Sequence, residues 1–188
     1  MSTATSPPLT TDDLLSFPED GIDRWLLHGE LREKPMTVRN RFHSRILVRV
    51  ARFLDAWNDE QPEPRGEVLG GEAGVRLLRD PDSTVGIDVV YISPQLAAQR
   101  DKSTTLINGV PVLAVEILSP NDTQQEIDEK VELYLTSGVQ AVWIINPSFE
   151  TVVVLQPGKS PVSYNHNDKL SGEPYLPGFS VPVAKLLG

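Results

Sequence analysis

The pattern of apolar and polar positions divides residues 110–147 into three parts. VPVLAVEILSP is an apolar run, NDTQQEIDEKVELYLTSGV alternates with a helical period, and QAVWIINP is apolar again. The order predicts strand, helix, strand, as in a βαβ unit, with strands over residues 112–118 and 141–145 and a helix over 123–136. Asp122 or Thr123 is placed to cap that helix and Gly138 to stop it. Upstream, VGIDVVYISP is β-branched enough for a strand over residues 87–93. Shorter strands are predicted over 66–69, 74–78 and 151–156, the last reached through the turn NPSFE. Residues 39–57 read as a long amphipathic helix with His43, Ile46, Leu47, Val50, Phe53, Leu54 and Trp57 along one stripe. A strand pair turning at Gly29 fits residues 23–33, and a short helix fits 11–17. The Pro-rich tail reads as loops with short strands around Val162 and Tyr164. It ends in a segment that packs Phe179, Val181, Leu186 and Leu187. With no repeat and no linker, the expectation is one mixed α/β domain over residues 11–188, behind a mobile Ser, Thr and Pro-rich segment at 1–10.

Two acids interrupt the apolar strands. Glu116 stands between Val115 and Ile117, in a run apolar enough to be buried on both faces of a sheet. An ionised carboxylate buried there costs several kcal/mol or more unless it changes its pKa or meets a cation. Asp88 interrupts the upstream strand in the same way, between Ile87 and Val89. An ion pair at a strand end would account for either acid alone. Together on neighbouring strands they could reach one ion, and oxygen donors of this kind suit Mg²⁺ or Mn²⁺. Lys130 lies on the following helix, four residues after Glu126 and so on the same face. At that spacing a surface ion pair is the ordinary meaning. Beside two acids, an ammonium group also serves water attacking phosphorus.

The run EILSPNDTQQEIDEKVELYLTSGVQAVWIINP, with Asp88 before it, Tyr134, Gly138-Val139 and a strand containing Trp143, resembles the Uma-two family of bacterial restriction-type endonucleases. That family is a branch of the PD-(D/E)XK nuclease superfamily, and the likeness spans roughly residues 12–185. The resemblance implies a restriction-endonuclease-like core with a central mixed sheet flanked by helices. It also implies divalent-metal hydrolysis of DNA phosphodiesters. The metal ligands would be Asp88, Glu116 and the backbone carbonyl of Ile117. Lys130 would be the catalytic cation and Glu126 would hold its ammonium. The family's usual Pro before the first acid is Ile87 here; a Pro-Asp pair does occur at Pro81-Asp82, but in a polar turn. Leu118 stands where the superfamily has its Lys, and Glu126 stands where Asp is common.

Composition limits this picture. A net charge of −9 argues against tight nonspecific DNA binding. The long helix nevertheless carries Arg41, Arg45, Arg49 and Arg52 as one cationic stripe, which either meets phosphates or pairs with the chain's own acids. His43 lies on the apolar stripe, as a core histidine or facing the cleft. Glu30 and Glu33 read as exposed positions of a hairpin strand or as an extra acid for the site, and Glu72 is a further candidate. The chain has no cysteine, which excludes thiolate zinc sites, cysteine nucleophiles and disulfides and fits a cytoplasmic protein. No run has the length of a membrane span. The histidines lack metal-ligand spacing, and neither a phosphate-binding loop nor a Gly-x-Ser-x-Gly elbow occurs. Two function classes stay open: a metal-dependent endonuclease, or a non-catalytic binding or scaffold module that keeps the nuclease fold. A homodimer that covers a sheet edge is the expected assembly.

Overall fold

The computed structural model describes residues 7–36, 40–99 and 105–188. Its elements are α1 (Thr11–Ser16), β1 (Ile22–Leu27), β2 (Glu30–Pro35), α2 (Arg41–Asp59), β3 (Glu67–Leu78), β4 (Ser83–Ile92), α3 (Pro94–Ala97) and β5 (Ile107–Asn108). The second half adds β6 (Leu113–Ile117), α4 (Gln124–Ser137), β7 (Ala141–Asn146), β8 (Thr151–Leu155), β9 (Val162–Asn165), β10 (Lys169–Ser171), β11 (Ser180–Pro182) and α5 (Val183–Leu187). The expected mobile segment at 1–10, and a helix start at Arg39, fall wholly or mostly outside the described residues. Within them, Leu9 donates its N–H to the Gly29 carbonyl at 2.8 Å.

One nine-stranded mixed sheet runs in the order β2-β1-β4-β6-β7-β8-β9, with β3 added to β4 and β5 to β3. The predicted βαβ unit is present: β6 and β7 are parallel from Leu113↔Ala141 to Ile117↔Ile145, connected through α4. Alternation along β6 decides what each side chain meets. Leu113, Val115 and Ile117 join a core with Ile46, Val50 and Leu54 of α2 and with Phe179 and Leu186 from the tail. Ala114 faces a second core with Leu133 and Tyr134 of α4. Covered by α2 on one face and α4 on the other, β6 is apolar throughout except for Glu116. Trp57 packs edge-on against Tyr91, ring centroids 5.1 Å apart, and tightens the α2 side.

The structure adds to the sequence reading and in one place changes it. The strands expected at 66–69 and 74–78 are one strand, β3. Its register against β4 slips between Gly70 and Ala73, with Gly71 at φ 90° and Glu72 at φ 60°. The Gly-Gly pair therefore makes a bulge and not a break. The N-cap of α1 is Thr10, which closes a capping box with Asp13. Thr11 is buried and donates through its hydroxyl to Asp82 Oδ2 at 2.5 Å, so it latches α1 to the start of β4. The elements α3, β5, β10, β11 and α5 had no periodicity long enough to announce them.

Candidate active site

Strands β4 and β6 are antiparallel, with Val89 opposite Val115; one further step in that register sets Asp88 opposite Glu116. The regular ladder stops there. Leu118 N–H goes to the Ile145 carbonyl of β7 at 2.9 Å, while Ile117 N–H is taken at 2.8 Å by Oδ2 of Asp88. A side chain thus replaces a main-chain acceptor where the strands part. His43 approaches from α2, its Nε2 at 3.2 Å from Asp88. The helix is started for that purpose by Asn40, whose side chain accepts from His43 N–H at 2.9 Å. Both His43 and Asp88 are buried. A carboxylate at that distance takes the hydrogen on Nε2, and His43 Nδ1 is buried without a hydrogen bond among the described residues.

Glu116 is held from the other face of the sheet. Lys130 Nζ lies 3.2 and 3.3 Å from its two oxygens and 3.5 Å from the Gly86 carbonyl. Tyr134, one turn further along α4, donates its hydroxyl to Oε1 at 2.5 Å. Burial pushes the Glu116 carboxyl above its ordinary range; Asp88 adds to the rise, and Lys130 and Tyr134 oppose it. Burial works against the Lys130 ammonium, but Glu116 outweighs it and the net direction is upward, so the amine stays charged. Burial, then the charge of Glu116, raises the Tyr134 phenol well above its usual value and keeps it a donor.

These groups surround a cavity of about 60 Å³. That volume takes an ion and a few waters, not a nucleotide. The lining includes His43, Asp88, Glu116, Ile117 and Lys130, and also Glu72 and Glu126. Glu126, however, does not hold Lys130. Its Oε2 accepts from Thr123 N–H at 2.9 Å and from Thr123 Oγ1 at 3.0 Å, closing the capping box of α4. The expectation that Glu126 anchors the ammonium is corrected: at the helix start its carboxylate is claimed by free N–H groups, and Glu116 is the anchor. Glu30 and Glu33 are exposed, at 3.0 Å from Arg32 and 2.8 Å from Arg24 respectively, and neither lines the cavity. Asp82, of the Pro-Asp pair, is engaged with Thr11.

The arginine stripe divides. Arg45 and Arg49 donate to main-chain oxygens of Gly188 and Lys185 at 3.1 and 3.4 Å, so they brace the end of α5. Arg41 and Arg52 are exposed. Tyr134 was named in the sequence only as part of a motif; its spacing of four from Lys130 is the signal that puts both on one face of α4. Lys34, Asp122, Asp23 and Trp25 also line the cavity, and hairpin pairing across β1 and β2 gave no local sign of it.

Among the described residues no group of three or more His, Asp or Glu side chains is arranged as a metal centre. The donors present are nevertheless hard oxygens: the two carboxylates at the parting of β4 and β6. Oxygen donors of this kind suit a divalent cation, and the charge of Asp88 adds to the rise of the Glu116 carboxyl.

A mixed sheet whose neighbouring strands β4 and β6 carry an Asp and a Glu, with a Lys from the helix that follows β6, has a restriction-endonuclease-like class of fold. The chain belongs to the Uma2 family (the Uma-two family above), described as "Putative restriction endonuclease", whose model matches residues 11–184. A crystal structure of a "putative nuclease belonging to DUF820" from Anabaena variabilis ATCC 29413 is similar, with a TM-score of 0.78 and 20% identity over 96% of this chain and 98% of that one. That likeness is one of fold. A comparison with curated proteins finds no match.

Proposed function

We propose that the chain is a metal-dependent endonuclease that hydrolyses DNA phosphodiester bonds. The observation that carries this reading is the ammonium of Lys130, fixed on Glu116 within 3.3 Å beside the buried Asp88. Asp88, Glu116 and the Ile117 carbonyl would hold Mg²⁺ or Mn²⁺, which when bound makes water a better nucleophile and screens phosphate charge. His43 and the Ile117 N–H fix the Asp88 carboxylate, and Tyr134 fixes Glu116. Lys130 then orients the attacking water and steadies charge developing on phosphorus. The water oxygen bonds to phosphorus as the bond to O3′ breaks; the water gives up a proton to solvent and O3′ takes one from solvent, leaving a 5′-phosphate and a 3′-hydroxyl as in the superfamily the chain resembles. Because the cavity is small, the DNA lies across its mouth and only a phosphate oxygen enters. Arg41 and Arg52 are the members of the stripe that remain candidates for phosphate contact.

We read residues 11–188 as a single restriction-endonuclease-like domain. We place it in the cytoplasm as a homodimer, in keeping with the absence of cysteine and with exposed sheet edges. No helix among the described residues is long and apolar enough to cross a membrane. The test is incubation with single-stranded, duplex, supercoiled and branched DNA in Mn²⁺, with Glu116→Ala and Lys130→Ala in parallel. Loss of cleavage in both variants is expected. A wild-type protein that neither cleaves nor binds metal would instead be a non-catalytic module, the reading that the net charge of −9 favours.

A further inference from the structure

Six carboxylates line the cleft, from Asp23, Glu72, Asp88, Glu116, Asp122 and Glu126. Among the described lining residues the only ammonium groups are Lys130 and Lys34. Lys130 is committed to Glu116, so Lys34 is the cation that an entering phosphate meets at the rim. Its position follows from the β1–β2 hairpin. The two strands pair from Ile22↔Pro35 to Leu27↔Glu30, yet β1 joins β4 at a single register pair, Leu26↔Thr84, close to the hairpin turn. The open end of the hairpin therefore extends along the cleft beyond its anchorage.

The hairpin is tied to the side of α4 by two ion pairs, that of Lys34 near the open end and that of Arg32 beside the anchorage. Lys34 Nζ lies 3.2 Å from Asp122 Oδ1, and Arg32 Nε lies 3.4 Å from Glu129 Oε2. Arg32 and Lys34 are two apart on β2 and share one face. Asp122 is in turn fixed by the Ser119 N–H at 2.7 Å, and Lys34 stands over the buried Trp25 ring, 5.8 Å from its centroid. None of these four charged side chains is fully buried: their exposures run from 19 to 34%. Ion pairs with solvent access contribute little to stability, so giving up either carboxylate for another anion costs the fold little.

We propose that Lys34, with Arg32 beside it, is the phosphate-contacting rim of the cleft, and that Asp122 and Glu129 occupy the places taken by two phosphates of the nucleic-acid backbone. This rests on the nuclease reading. Exchanging carboxylate for phosphate keeps each cation paired, so a chain of net charge −9 carries its binding cations self-neutralised until a strand lies along the rim. The contact selects for backbone phosphate and not for bases.

The experiment is fluorescence anisotropy of a short labelled DNA duplex in Ca²⁺ over a series of salt concentrations. It uses the full chain and the variants Lys34→Gln, Lys34→Arg and Asp122→Asn, with Lys159→Gln as a charge-matched control at another exposed site. Lys34→Gln weakens binding and reduces the slope of log affinity against log salt by about one, the value for one lost phosphate contact. Lys34→Arg restores both. Asp122→Asn, which removes the competing charge, binds more tightly than wild type. If Lys34→Gln and Lys159→Gln weaken binding equally while the wild type binds and cleaves, the rim assignment alone is overturned. Weaker binding by Asp122→Asn overturns it too. A wild type that binds no DNA at any salt concentration overturns the rim and the nuclease reading together.

Discussion

The hydroxyl of Tyr134 donates to Oε1 of Glu116 at 2.5 Å, so an acid on β6 is oriented by the helix that follows it in the chain. Lys130, one turn earlier, engages both oxygens of the same carboxylate. The βαβ connection therefore does more than cover the sheet: it delivers the two groups that make a buried Glu tolerable.

Removing the phenol hydroxyl leaves Oε1 without that donor at the wall of the cavity. Tyr134→Phe is expected to lower stability by about 1.5–3 kcal/mol, the range for a hydrogen bond to a charged group. Urea denaturation at neutral pH measures it. A change within error would mean that Lys130 alone satisfies Glu116.

Lys130→Gln is expected to cost more, about 3 kcal/mol at neutral pH, as when one partner of a buried pair is removed. Its pH dependence has a definite sign. The folded-state pKa of Glu116 is raised above 4.5, so the folded state holds that proton more tightly than the unfolded chain. Stability from this group is fully present below 4.5 and is lost as pH rises through the raised value. Without Lys130 the rise is larger, so the deficit of the variant grows from pH 5 to pH 8. Urea midpoints at the two pH values that differ from wild type by the same amount would contradict this.

Much of this arrangement was legible in the sequence, because Asp88 and Glu116 each break a strong local pattern. An acid in an apolar strand stands out by itself, and a Lys on the next helix is found by counting turns. The role of Glu126 was misread for a local reason. The same spacing that faces it toward Lys130 also makes it the third residue after Thr123, and the capping geometry won. Lys34 and Asp122 were not legible. They meet across 88 positions of chain through an ion pair that no periodicity encodes. The bulge in β3 was visible as glycine but not as continuity, since pairing with β4 carries the strand past it.

The capping role has its own test. Thr123→Ala should destabilise by about 1 kcal/mol, the usual cost of a lost N-cap. Glu126→Gln, which keeps an acceptor for Thr123, should cost less than that and leave DNA cleavage close to wild type. Thermal melts and a cleavage assay on the same preparations compare the two. A severe loss of cleavage in Glu126→Gln with an unchanged melt would return Glu126 to the catalytic group.

The arginines of α2 make opposite predictions along one stripe. Arg45 and Arg49 reach main-chain oxygens at the end of α5, while Arg41 and Arg52 are exposed. Replacing Arg45 and Arg49 together by Ala should lower stability by about 1–2 kcal/mol, as two hydrogen bonds from charged groups near a helix C-terminus. It should also increase hydrogen exchange in α5. Arg41→Ala with Arg52→Ala should leave the melt unchanged and weaken DNA binding.

Metal binding is measurable without turnover. An ion that binds the folded state alone stabilises it by RT ln(1 + [L]/Kd), about 2.7 kcal/mol at one hundred times Kd. The melting temperature should therefore climb with Mn²⁺ concentration. Asp88→Asn removes one of the two carboxylates while retaining an acceptor for the Ile117 N–H, so the strand junction keeps its shape. It also relieves the like charge that helps raise the Glu116 carboxyl. The variant is expected to melt at or slightly above the wild-type temperature in metal-free buffer, yet to gain little from Mn²⁺. Those two effects point in opposite directions, so general damage to the fold cannot imitate them. Equal Mn²⁺ stabilisation of wild type and Asp88→Asn would place the ion elsewhere on this acidic chain.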